Sequence, residues 1–134
     1  MFNFLRLKFV FVLLFSVLIT SASGEEKNIT YLEILENPND LDLNLTYAKQ
    51  QGELGNFKQT IATLERLNIV YPDNVEIKLY LLSVLVQIDS PEKAKTIIEE
   101  MKLRKDLEAE DLETLQEIEE ELKEIEPSLW TLAL

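Results

Sequence analysis

Residues 41–74, LDLNLTYAKQQGELGNFKQTIATLERLNIVYPDN, decide the fold. Their apolar residues recur at three- and four-residue spacing in two runs, parted by Gly55-Asn56 and closed by Pro72, which is the pattern of two amphipathic helices joined by a tight corner. In the first run Leu45, Ala48 and Leu54 lie near one stripe, with Asp40 or Asp42 as the cap. In the second, capped by Asn56, the residues Phe57, Ile61, Leu64 and Leu67 face a neighbour while Lys58, Glu65 and Arg66 face water. Pro38 stands 34 residues before Pro72, and each proline is followed by an Asp/Asn pair, Asn39-Asp40 and Asp73-Asn74. A fixed period of this length marks stacked helical repeats.

Advancing 34 residues gives 75–108 as a second unit. Its first part, to Ile88, is apolar almost all round and reads as a central helix buried on most sides. Asp89-Ser90-Pro91 replaces the glycine corner, and Ser90, Pro91 and Glu92 supply a cap, a proline at the first helical position and an early acid. Ala94, Ile97, Ile98 and Met101 form the buried stripe that follows; Lys102, Arg104 and Lys105 complement the helix dipole. Substitution at Lys95 or Glu100 is expected to cost little, in contrast to Leu81, Leu82 and Leu85 in the core. Leu82 stands opposite Ala48, Thr60 opposite Ala94, and Asp106 where a third proline would recur.

Outside the two units, residues 29–36 read as a short helix with Tyr31, Leu32 and Leu35 on one side, covering the first face of the stack. Residues 106–126 hold 11 acids and one base, Lys123, yet Leu112, Leu115, Ile118, Leu122 and Ile125 keep helical spacing. That is the pattern of an acidic capping helix over about 109–126, since the last element of a stack needs a polar outer face; the alternative is an acidic docking surface for a basic partner. The expected fold is therefore all-α: antiparallel helix pairs stacked as a short α-solenoid over 25–126, with a non-repeating bundle as the other arrangement this periodicity permits. The tail 127–134, ending SLWTLAL, either tucks against the helices or begins a strand.

Residues 1–24 carry Arg6 and Lys8, an apolar run from Phe9 to Ile19 broken only by Ser16, and then small residues ahead of Glu25-Glu26. This is a signal-peptide pattern, cut after Ser23 or Gly24; the alternative is an uncleaved inner-membrane anchor over 2–22. Without Arg6 and Lys8 the chain keeps 25 acids against 11 bases, a net charge of −14. Such a surface repels phosphate backbones and anionic membranes, so nucleic acid is no partner.

The sequence contains no histidine and no cysteine. Ser/His and Cys/His nucleophiles, histidine or thiolate metal sites, disulfides and lipidation at a leader cysteine are thereby excluded. No phosphate-binding glycine loop and no EF-hand loop occurs. Gly52 and Gly55 read as parts of a helix corner, and neighbouring carboxylates such as Glu99-Glu100 or Glu119-Glu120-Glu121 diverge around their helix instead of forming a dyad. The matches Asn28-Ile29-Thr30 and Asn44-Leu45-Thr46 to the glycosylation sequon are read as chance. No enzyme, cofactor or metal is expected.

The period, with Ala48, Gly55, Phe57 and Pro72 in one unit and Ala94 in the next, resembles the tetratricopeptide repeat (TPR) family over roughly residues 30–108. The resemblance implies a protein-protein interaction scaffold, here in a Gram-negative periplasm, with a protein or peptide partner held in a groove lined by the first helix of each pair. It places Asp42, Leu45, Lys49, Gly52 and Glu53, then Glu76, Leu79, Ser83, Val86 and Gln87, along that groove. Leu45, Leu79 and Val86 would form an apolar floor, with Lys49 the base available to an acid and Ser83 at the slot matching Lys49. The carboxylate clamp of some family members needs a Lys and an Asn where this chain has Leu45 and Lys49, or Leu79 and Ser83, so that clamp is not expected. A leader, repeats, an acidic helix and an aromatic-bearing tail are also similar to proteins that join a periplasmic repeat domain to an outer-membrane β-barrel. The alternative reading is accordingly a truncated N-terminal domain of such a protein, associated with the cell envelope.

Overall fold

The computed structural model describes residues 27–127, and among these the chain is all-helical, without strands. The helices are α1 (Tyr31–Glu36), α2 (Leu41–Glu53), α3 (Phe57–Val70), α4 (Val75–Gln87), α5 (Pro91–Lys102) and α6 (Ala109–Ile125). Adjacent helices pack in order, and α4 also packs against α6, so the arrangement is solenoid-like. Each pair is antiparallel. Thr60, near the start of α3, donates to the Ala48 carbonyl late in α2, whereas Arg66, late in α3, reaches Asn44 at the start of α2.

The 34-residue step recurs in the backbone. Asp40 and Asn74 cap α2 and α4, each accepting from the N–H three residues on at 3.0 Å. Both helices then reverse through a left-handed residue, Gly55 at φ 76° and Asp89 at φ 59°. The following N–H groups, of Asn56 and Ser90, close the corner on the Gln51 and Leu85 carbonyls at 2.8 and 2.9 Å. Gly55 is the residue with no steric penalty in that conformation, and aspartate is among the few others that tolerate it. Asn56 and Ser90 occupy the N-cap positions of α3 and α5 as expected, but neither side chain caps; Asn56 Nδ2 donates to Gln51 Oε1 instead.

The core is continuous from α2 to α6. Ala48, Leu64, Leu67, Ile77, Leu82, Ala94, Ile98 and Met101 are fully buried, and Leu115, Ile118 and Leu122 of α6 close the far end. Leu112 and Ile125 of the same helix stay half-exposed, as suits an element whose outer side meets water. At the near end a smaller cluster of Ile29, Ile34 and Tyr47 fastens α1 to α2.

Several side chains lie elsewhere than the periodicity suggested. Helix α1 buries Ile34 and leaves Tyr31, Leu32 and Leu35 exposed, because its six residues present only one turn to α2. Leu54 caps α2 in solvent instead of continuing its stripe. Arg66 and Glu100, expected on watery faces, lean inward to a buried polar residue on the neighbouring helix: Arg66 to Asn44 Oδ1 at 2.5 Å and Glu100 to Lys78 Nζ at 2.6 Å. Asn44 and Lys78 are 0% and 2% exposed and need those partners. The two pairs are one unit apart at both ends, and neither was anticipated. Lys102, assigned above to the helix dipole, pairs with the buried Glu119 of α6. The expected leader, 1–24, and the tail from Ser128 lie outside the described residues.

Candidate protein-binding face

The first helices α2 and α4 meet along one side of the stack, where Lys49 Nζ and Glu76 Oε1 form an ion pair at 2.8 Å. Beside it Tyr80 lies over Gly52 and donates to the Ala48 carbonyl at 3.4 Å. Gly52 is thus an approach residue within the last turn of α2, where a Cβ would meet the phenol oxygen, and its carbonyl accepts the Gly55 N–H at the corner at 3.0 Å. Burial, with a smaller contribution from Glu53, pushes the Tyr80 phenol up to about 12.

The expected groove residues divide into three sets. Leu45 and Val86, 7% and 6% exposed, belong to the core. Leu79, Ser83 and Lys49 are half-buried, with Ser83 Oγ donating to the Tyr80 carbonyl and Lys49 committed to Glu76. Asp42, Glu53, Glu76 and Gln87 are exposed. Leu79 is therefore what remains of the apolar floor at the surface, since Leu45 and Val86 are enclosed in the core cluster.

One further 34-residue step carries this face onto α6. The positions of Glu76, Leu79, Ser83, Val86 and Gln87 become Glu110, Glu113, Glu117, Glu120 and Glu121. The first four are exposed. Glu121 is half-buried, and burial, aided by Glu124, pushes its carboxyl up. Sequence reasoning stopped at two units because α6 runs through the position where α2 and α4 turn; the signal that could have found these residues was the period itself. Together the three helices present an acidic face around Leu79, with Lys49 neutralised in place.

The opposite side carries a recess of about 420 Å³, lined by Phe57, Lys58, Ile61, Ala62 and Glu65 of α3 and by Ile88 at the end of α4. Among the described residues no group of side chains is arranged to hold a metal ion. Neither the protein-family models nor the curated proteins nor the solved structures contain a match to this chain.

Proposed function

We propose that this protein is a non-enzymatic, TPR-like binding module of the bacterial periplasm, and that the face formed by α2, α4 and α6 holds a basic segment of a partner protein. The observation that carries the reading is the recurrence of one set of contacts at a 34-residue interval: the part-buried pairs Asn44–Arg66 and Lys78–Glu100, and the left-handed corners at Gly55 and Asp89. Repeated units expose the same helix face in succession, which suits them to an extended ligand. The charge supports the chemistry of that ligand: Asp42, Glu53, Glu76, Glu110, Glu113, Glu117 and Glu120 are exposed there. A Lys- or Arg-rich segment with an apolar side chain against Leu79 complements it. The leader pattern supports export.

Partner capture from an envelope fraction tests this, with the unaltered chain compared with Leu79→Asp and with Glu113→Lys/Glu117→Lys. These residues are at least partly exposed, so helical content is expected to be unchanged. Both variants should lose the partner, and the complex should weaken as salt rises. A partner held equally well by all three proteins would show that this face is not the binding surface.

A further inference from the structure

The 34-residue step that sets polar pairs between the helices also sets an aliphatic side chain in solvent. Leu35, Ile69 and Leu103 stand one unit apart, each within one residue of the end of α1, α3 or α5, and they are 54%, 80% and 83% exposed. A single exposed leucine is ordinary, but three at one position of consecutive units form a row.

The backbone keeps that row in register. The corner after α1 repeats the corner after α3: the Asn37 and Tyr71 N–H groups donate to the Glu33 and Leu67 carbonyls, and the Asp40 and Asn74 N–H groups to the Asn37 and Tyr71 carbonyls. Leu103 leaves α5 still in right-handed helical conformation, at φ −80° and ψ −13°, so it prolongs the surface of that helix. Successive helix ends are tied together, the Tyr71 hydroxyl donating to the Asn39 carbonyl and Arg104 Nη2 to the Asp73 carbonyl.

The two ends of the row carry opposite charge. Glu36 follows Leu35 and Lys105 lies two residues past Leu103; both are exposed, and neither makes an ion pair among the described residues. One turn behind Ile69 and Leu103, Glu65 and Glu99 are neutralised in place by Lys93 and Lys95 at 3.1 and 3.8 Å. A row of three with an acid at one end and a base at the other complements its own inverted copy. A two-fold axis at Ile69 sets Ile69 against Ile69, Leu35 against Leu103 and Glu36 beside Lys105, the last two contacts being made twice. The parallel arrangement would set like charge against like at both ends.

We propose that this row is the interface of a weak homodimer, in which a second copy of the chain lays the ends of its α1, α3 and α5 against those of the first about a two-fold axis at Ile69. A row of this length falls short of the ~20–30 residues a side of a standard interface, so the association is of the reversible kind. It leaves the face of α2, α4 and α6 open and does not depend on the role of that face.

Sedimentation velocity of the full chain, from micromolar to millimolar concentration, tests this. A reversible monomer–dimer equilibrium is expected, ending at the dimer. Ile69→Asp, which brings two carboxylates together on the axis, should leave a monomer with unchanged far-UV circular dichroism, since Ile69 is in solvent. Glu36→Lys and Lys105→Glu should each weaken dimerisation several-fold, and the two together in one chain should restore it by exchanging the partners of every pair. A chain that stays monomeric throughout overturns the proposal, including one that instead floats with phosphatidylcholine vesicles through this row. Association that Ile69→Asp leaves intact overturns it by placing the contact elsewhere, and assembly beyond the dimer does so by showing a head-to-tail contact. A double charge variant as weak as either single one overturns the two-fold arrangement.

Discussion

Lys78 Nζ donates to Glu100 Oε1 at 2.6 Å across two very different environments: the Lys78 side chain is 2% exposed and that of Glu100 56%. The pair stands one unit after Asn44–Arg66, and the two are not interchangeable. Pairing α4 with α3 through these positions would set Lys78 against Arg66, two cations at a buried site, so the contacts favour the observed order of helices as well as each helix pair.

Removing the outer partner therefore strands a buried ammonium. Glu100→Ala is expected to cost about 1.5–3 kcal/mol, the range for hydrogen bonds to charged groups, and less than the ~3–5 kcal/mol of a fully buried pair because Glu100 is half in water. Lys78→Met should recover most of that loss in the Glu100→Ala background. Urea midpoints of the two single variants and the double variant decide it. Equal stability of Glu100→Ala and the unaltered protein would mean that Lys78 is satisfied in some other way.

Gly52 and Tyr80 should be coupled. Gly→Ala within a helix ordinarily gains about 1 kcal/mol, but a Cβ on residue 52 collides with Tyr80 Oη, and overpacking typically costs ~1–3 kcal/mol. Gly52→Ala is thus expected to be neutral to destabilising alone and stabilising in a Tyr80→Phe background. A double-mutant cycle by thermal or urea unfolding reads the sign, and strict additivity would show that the phenol moves aside without penalty.

Tyr80 also sets an alkaline limit. Its folded-state value, about 12 against an ordinary 10.0, means that the native state holds the phenolic proton more tightly than the unfolded chain does. The associated stability is complete below pH 10 and is lost as pH rises towards 12. Burial also raises the Tyr47 phenol, so phenolate absorbance should show more than one late tyrosine, and the Tyr80→Phe variant should lose the component near 12 and keep that of Tyr47.

At the acid side the contact of α6 with α5 should weaken. Burial acts to raise the Glu119 carboxyl, but Lys123 and Lys102 outweigh it and hold it below the ordinary 4.5. A depressed folded value contributes stability that is present above pH 4.5 and is lost as pH falls through that lower value. The decisive comparison is Glu119→Gln, which should be less stable at neutral pH and should approach the unaltered protein as pH drops. A stability difference independent of pH would remove the carboxylate's charge from the account.

Helix positions, corners and the apolar core were legible because they depend on neighbours in the chain. Gly55, the prolines Pro38 and Pro72, and the spacing of Leu64, Leu67, Ile98 and Met101 act through backbone geometry and local periodicity, and the all-helical stack follows from them. The burial of Lys78 was not legible. A lysine in an apolar helix has no sequence mark saying whether it reaches water, and its partner lies 22 residues away on another helix. The proposed binding face was legible in outline only: the period assigned Leu45 and Val86 to it, whereas the packing of the whole stack puts both in the core.

The sequence by itself determined that the chain is helical, that its units repeat every 34 residues, and that chemistry needing histidine or cysteine is absent, because composition and periodicity are properties of the chain alone. Only the tertiary structure decided which charges are spent internally. Lys49, Arg66, Lys78 and Lys102 are each taken up by a residue on a neighbouring helix, while the outer glutamates of α6 remain in solvent. Pairing of this kind depends on distances between helices, which are fixed by the packing of the whole stack and not by the order of residues within any one of them.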